Sequence, residues 1–174
     1  LGGGKDKIEN FVNLDLGDYK NVDVIADLKN IPFRDSSVYL VASNSVLEHI
    51  YDYKSVISEI HRILVKDGFL YLCVPSVCRQ HHSIDYHRWT AAGLKKLIDD
   101  KFNFVETGVT RGIPHFLVMY IHYVIDLKIR NKILRSILKF IWNVLSLPLF
   151  LIREDHSISS QSLAQTIYII GKKK

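Results

Sequence analysis

Three glycines, Gly2, Gly3 and Gly4, stand at the front of the chain, and the two apolar bursts that follow each stop on a carboxylate. These are Phe11-Val12-Asn13-Leu14-Asp15 and Ile25-Ala26-Asp27-Leu28. Without a Cβ, glycine lets a backbone turn sharply and approach a ligand closely. A carboxylate that ends a strand lies at the edge where open α/β sheets bind ligands. Together the two features point to the binding of a nucleotide-like group. Plainer readings exist for each: an unstructured terminus or tag scar for the glycines, a solvated turn for Asp15, and for Asp27 the opening of a turn through Lys29-Asn30-Ile31-Pro32.

Further residues with chemical potential follow in order. Ser43-Asn44-Ser45 closes a third apolar run, and Glu48 and His49 come just after it. Adjacent helical residues point different ways, so this pair does not face one pocket equally, and two ligands are too few for a metal site. His49 reads either as a base or substrate contact, or as a histidine that packs at a helix start. In Asp85-Tyr86-His87-Arg88-Trp89-Thr90, with His81 and His82 nearby, Tyr86, His87 and Arg88 can orient an acceptor hydroxyl or an anionic group. The alternative there is a helix cap at Thr90 with Trp89 as a core anchor. Cys73 lies in an apolar run and reads as a buried thiol, and with Cys78 it lacks the second pair a zinc site needs.

These residues must be carried by elements. Strand-like runs are Phe11–Asp15, Val22–Ala26, Val38–Ser43, Phe69–Val74, Phe104–Val109 and Ala164–Ile170, short and rich in β-branched and aromatic residues. Between them, Asp52 caps a helix with Val56, Ile57, Ile60, Ile63 and Leu64 on one face, expected to break at Lys66-Asp67-Gly68. A second helix follows Thr90 and buries Leu94, Leu97 and Ile98. Strand, helix and strand in alternation predict a parallel sheet with crossover helices. The connection from the glycines to Phe11 is only Lys5–Asn10, too short for a crossover helix. No strand precedes Leu1, so the sequence is expected to be a truncated version of a longer chain.

The 174 residues suffice for one domain, and the composition is ordinary for a globular protein. With two cysteines and no secretory leader, a reducing cytoplasm is the expectation. The net charge of +5 is concentrated. From Arg111 to Arg153 seven basic residues face Asp126 alone, a net +6, which leaves the rest of the chain at −1. Phe116–Ile152 is mostly apolar. Within it Lys128, Lys132, Arg135, Lys139 and Asn143 recur at helical spacing as one polar stripe, opposite Leu134, Ile137, Leu138, Ile141, Trp142 and Leu145. A helical cap with its basic stripe in water, a basic amphipathic helix on an anionic membrane surface, and a transmembrane span all compete. Arg135, Lys139 and Pro148 count against the span.

LGGG, FVNLDL, DVIADLKNIPF, VYLVASNSVLEHI and HRILVKDGFLYLCVP, in that order, resemble the class I S-adenosylmethionine-dependent methyltransferases. The closest likeness is to the short methyltransferase-11-like branch associated with cell-surface polysaccharide genes, in which the first helix is reduced or absent. The resemblance covers Leu1 to about Thr110 and returns at Leu163–Lys172. It implies a Rossmann-like sheet, mainly parallel with an antiparallel last strand, here N-terminally truncated and carrying a helical C-terminal insertion. The corresponding divisions are a cofactor-binding core over 1–110, a helical cap or membrane-surface insertion over 111–157, and the last strand with a basic tail over 158–174.

The resemblance also implies S-adenosyl-L-methionine as cofactor. Gly2, Gly3 and Gly4 would hold its amino-acid end, Asp15 beside Leu16 its ribose hydroxyls, Asp27 and Leu28 its adenine, and Ser43 and Asn44 would line the pocket. His49 and His87 are the candidate bases, and Tyr86 and Arg88 candidate acceptor contacts. The implied reaction is methyl transfer to a small or lipid-linked, saccharide-type acceptor, with no nucleic acid partner, in the cytoplasm with peripheral contact at the inner face of the membrane. Two other readings compete with it. A nicotinamide oxidoreductase wants a fuller glycine motif opening a helix. A non-catalytic methyltransferase-like module would keep the fold and act as a scaffold or at a membrane surface.

Overall fold

The computed structural model describes residues 1–5, 8–80, 83–151 and 161–174. Among the described residues, six strands form two sheets. β1 (Leu14–Asp15) pairs in parallel with β2 (Val24–Ile25). The larger sheet takes the order β3-β4-β6-β5, from Val38–Asn44, Leu64–Pro75, Thr166–Lys173 and Phe102–Arg111. β3 runs parallel to β4, while β6 runs antiparallel to both β4 and β5. The parallel set with one antiparallel last strand is the arrangement the sequence implied, although β6 reaches Lys173. The first two strands are shorter than their apolar runs. Asn10 takes a left-handed φ of 65°, and Phe11 and Val12 are exposed beside Tyr39 and Leu40 in a cleft of about 520 Å³ between the two sheets.

Two helices cover the large sheet. α1 (Tyr53–Ile63) is capped by Asp52, whose carboxylate accepts from the Ser55 N–H. It buries Val56, Ile57, Ile60 and Ile63, the face its spacing set. The expected break at Lys66-Asp67-Gly68 comes three residues earlier. The carbonyls of Arg62 and Ile63 accept from the Ser36 and Ser37 N–H groups, and Leu64 is already extended. Val65–Gly68 then bulge within β4, with Asp67 at φ 64°. α2 (Ala91–Ile98) is capped by Thr90, which accepts from Gly93 N–H at 3.1 Å. Leu94 and Ile98 are fully buried from it, and Leu97 packs at the margin. One core joins Leu14, Leu28, Ile31, Leu70, Leu72, Trp89, Phe102 and Ile167.

The apolar C-terminal region is a helical hairpin. α3 (Ile113–Lys128) begins at Gly112 with Pro114 in its first turn, and α4 (Lys132–Ser146) is capped by Asn131 and continues as a 3₁₀ turn to Leu151. The basic stripe of α4 does not simply face water. Lys139 Nζ lies 2.7 and 2.8 Å from the Asp126 carboxylate oxygens, and Arg135 lies 3.6 Å from it. This turns the apolar side outward: Ile133, Phe140 and Leu145 are each two-thirds exposed or more. Asp126 of α3 meets the stripe of α4 with an ion pair on this inward side. Lys132–Leu151 is long and apolar enough to cross a membrane by length and composition. Ile152, Arg153 and the division at 157/158 lie outside the described residues.

Candidate active site

The first cluster forms where β1, β3 and the glycine loop meet. Gly2 and Gly4 adopt left-handed backbone at φ +65° and +53°. A Cβ on Gly2 would lie 2.3 Å from Cγ2 of Val46, and one on Gly3 would lie 2.2 Å from Oδ1 of Asn13. The glycines therefore let the loop lie directly on these two side chains. Asp15 fastens the loop: its Oδ2 accepts from the Gly4 N–H and its Oδ1 from the Gly17 N–H, both at 2.9 Å. The Gly2 N–H donates to the Leu14 carbonyl at 2.7 Å.

A cavity of about 280 Å³ opens between this loop and the end of β3, lined by Gly2, Gly3, Asn13, Ser43, Asn44 and Tyr71 among others. Four of the residues expected to bind cofactor thus share one cavity; Gly4 and Asp15, hydrogen-bonded to each other, are not part of its lining. Leu16 beside Asp15 is 71% exposed. Asp27 and Leu28 do not line the cavity. Asp27 takes the geometry of a turn opener: its Oδ1 accepts from Lys29 N–H at 2.9 Å, and its carbonyl accepts from Asn30 N–H. Leu28 is buried in the core. Asn13 carried no local signal as a site residue, yet its amide also donates to the Asn21 carbonyl at 2.9 Å and to the Gly4 carbonyl at 3.4 Å.

Glu48 and His49 occupy a 3₁₀ turn, Leu47–His49, just beyond β3. They are unequally exposed, as expected, with Glu48 fully buried and His49 about a quarter exposed, but their polar ends meet at 3.7 Å. His49 Nδ1 lies 2.6 Å from the Ile84 carbonyl. A carbonyl can only accept, so Nδ1 carries the proton and Nε2 is the nitrogen turned toward Glu48. Burial pushes the Glu48 carboxyl above its ordinary range.

The Asp85–Thr90 segment is held internally. Arg88 forms a two-pronged pair with Asp85, which is 1% exposed, and also donates to the carbonyls of His87 at 2.7 Å and Arg79 at 3.2 Å. His87 packs edge-on against Tyr53, with ring centres 4.7 Å apart, and beside Trp89. Tyr86 is half exposed and packs on Tyr51. Trp89 is a core residue and Thr90 a cap, so the plainer reading of this segment describes its packing. His81 and His82 lie outside the described residues. Of the two candidate bases, only His49 stands beside the end of β3.

Two further cavities, of about 390 and 460 Å³, follow the carboxyl ends of β3, β4 and β5 toward the helical hairpin, and Arg79 and Arg111 line both. The sequence offered only an excess of positive charge from Arg111 onward. No local pattern singled out Arg79.

Residues 6–72 match the Methyltransf_11 family model, described as a methyltransferase domain. No curated protein matches the chain. Many solved structures share its fold, among them the following three. The 1,6-didemethyltoxoflavin-N1-methyltransferase of Burkholderia thailandensis, with bound 1,6-didemethyltoxoflavin and S-adenosylhomocysteine, aligns at 12% identity and TM-score 0.54 over 92% of this chain and 60% of its own. Phosphoethanolamine N-methyltransferase 2 of Haemonchus contortus, in complex with phosphomonomethylethanolamine and S-adenosylhomocysteine, aligns at 13% and 0.52 over 92% and 42%. The cyclase SpnF aligns at 12% and 0.51 over 88% and 57%. The fold is the Rossmann-like α/β fold of the class I methyltransferases.

Proposed function

We propose that the chain is an S-adenosylmethionine-dependent methyltransferase that acts on a small or lipid-linked, saccharide-type acceptor at the inner face of a membrane. The observation that carries this reading is the cavity shared by Gly2, Gly3, Ser43 and Asn44, beside the glycine loop that Asp15 fastens through Gly4. It lies at the carboxyl end of β3, the kind of edge where α/β sheets bind ligands. The residues fit S-adenosylmethionine: a glycine loop that a backbone-close ligand can approach, a carboxylate able to accept from ribose hydroxyls, and polar strand-end residues. The named relatives with bound S-adenosylhomocysteine agree with that choice. The sulfonium supplies an already activated methyl group, so the protein's task is to align an acceptor in line with it. His49, with its Nδ1 proton fixed on Ile84, is the better placed candidate to take a proton from an acceptor hydroxyl.

The alternative is a non-catalytic module that keeps the fold but has lost cofactor binding; a protein named as a cyclase shares this fold. Calorimetric titration with S-adenosylhomocysteine separates the two. Binding is expected for the wild type, and Asp15→Ala is expected to lose about 2–3 kcal/mol of it, because charge-assisted contacts are removed. No binding by the wild type, or equal binding by the variant, overturns the assignment.

A further inference from the structure

We infer that the groove between the sheet edge and the α3–α4 hairpin seats a phosphate group of the methyl acceptor between Arg79 and Arg111. This deepens the methyltransferase reading and rests on it. The groove starts at Ser45, the residue after Asn44 of the cofactor cavity, and runs past Arg79 and Arg111 to His122 and Lys139. A group held midway along it lies between the end of β3 and the inward, polar side of α4.

The charge is unbalanced in one place. Among the described residues, Asp126 is the carboxylate that lines the groove, and Lys139 and Arg135 already pair with it. Neither Arg79 nor Arg111 forms an ion pair among the described residues. Both are nonetheless positioned. The Arg79 guanidinium lies over the Tyr123 ring at 5.7 Å, and its carbonyl accepts from Arg88. Arg111 ends β5, where its carbonyl accepts from Gln165 N–H at 2.7 Å. An aromatic face holds a cation in place without neutralising it. Deeper in the groove, His122 Nε2 is shielded from water and has no hydrogen-bond partner among the described residues. Two guanidinium groups that form no ion pair among the described residues, Arg79 sensing Asp126 only at longer range, and one unsatisfied ring nitrogen match the donors a phosphate accepts from. The phosphate of a lipid headgroup and that of a soluble ester share this chemistry.

The test is calorimetry on the full chain with three probes: dioctanoyl phosphatidic acid, glycerol 3-phosphate and dioctanoylglycerol. Binding of either phosphate probe, weakened about tenfold or more by Arg79→Gln and again by Arg111→Gln, supports the site. Of the two, phosphatidic acid alone points to a lipid headgroup, and glycerol 3-phosphate to a soluble ester. Lys128→Gln, a change in an exposed cation of the same hairpin outside the groove, is expected to leave phosphate binding unchanged. Equal binding of dioctanoylglycerol, no phosphate binding, or a Lys128→Gln effect as large as the others overturns it. S-adenosylhomocysteine is titrated into every variant. Its failure to bind the wild type sinks the methyltransferase reading, whereas retained binding with no phosphate response sinks only the anion site.

Discussion

Glu48 is a carboxyl group with no contact with bulk water, next to the histidine best placed to act on a proton. Burial raises its pKa from an ordinary value near 4.5. Its folded form therefore holds a proton more tightly than its unfolded form. The associated stability is full below pH 4.5 and is lost as pH rises through the folded-state value. Glu48→Gln, which cannot ionise, is expected to melt above the wild type at pH 8, with the two curves converging toward pH 4. A wild type more stable than the variant at pH 8 would contradict this account. His87 gives a contrasting expectation. Its ring is packed against Tyr53 and Trp89, so His87→Ala should cost about 1–2 kcal/mol of stability and leave S-adenosylhomocysteine affinity intact. A variant that loses affinity at unchanged stability would restore His87 to the site. These two histidines were indistinguishable by type and context in the sequence, and only their neighbours across the fold separate them.

The glycine loop behaves as a unit whose members differ. Gly3→Ala would drive a methyl group against Asn13, while Gly4→Ala meets nothing within 4 Å and suffers only its left-handed φ. Gly3→Ala should cost about 1–3 kcal/mol and Gly4→Ala less, as measured by chemical denaturation. Equal costs would mean that backbone strain, not close packing, selects glycine here. Legibility follows the same division between local and distant causes. The buried face of α1 was readable because its spacing depends on the helix alone, and Asp52 and Thr90 cap within three residues of themselves. The end of α1 was not, because Ser36 and Ser37 capture its last carbonyls from far along the chain. Nor was the inward turn of the α4 stripe, since its partner Asp126 belongs to another helix. The site divides in the same way. Gly2, Gly3, Ser43 and Asn44 follow from local motif, whereas Arg79 and Arg111 come together only through the sheet.

At the scale of the molecule, one feature outweighs the rest: an apolar helix face turned outward above a basic hairpin tip. Lys128, Arg130 and Lys132 at that tip are exposed, while Arg135 and Lys139 are engaged with Asp126. On the proposed membrane contact, the protein should co-sediment with anionic vesicles at low salt, and less with neutral ones. Replacing the three tip cations with Gln should weaken that by roughly 1 kcal/mol each, and Phe140→Asp should abolish it. Indifference of the wild type to anionic vesicles would leave the hairpin as a cap for a soluble acceptor.

The place of β6 bears on how such a protein is made. Thr166–Lys173 comes after every other strand in sequence yet lies between β4 and β5. On a ribosome, β4 emerges 91 residues before its antiparallel neighbour begins, which at common synthesis rates is a wait of roughly 5–20 s. Before β6 arrives, β4 and then β5 present unfilled backbone edges, and the oily face of the hairpin follows them into solution. A nascent chain in this condition is a natural client for a chaperone, or for a membrane that shelters the hairpin before the sheet can close.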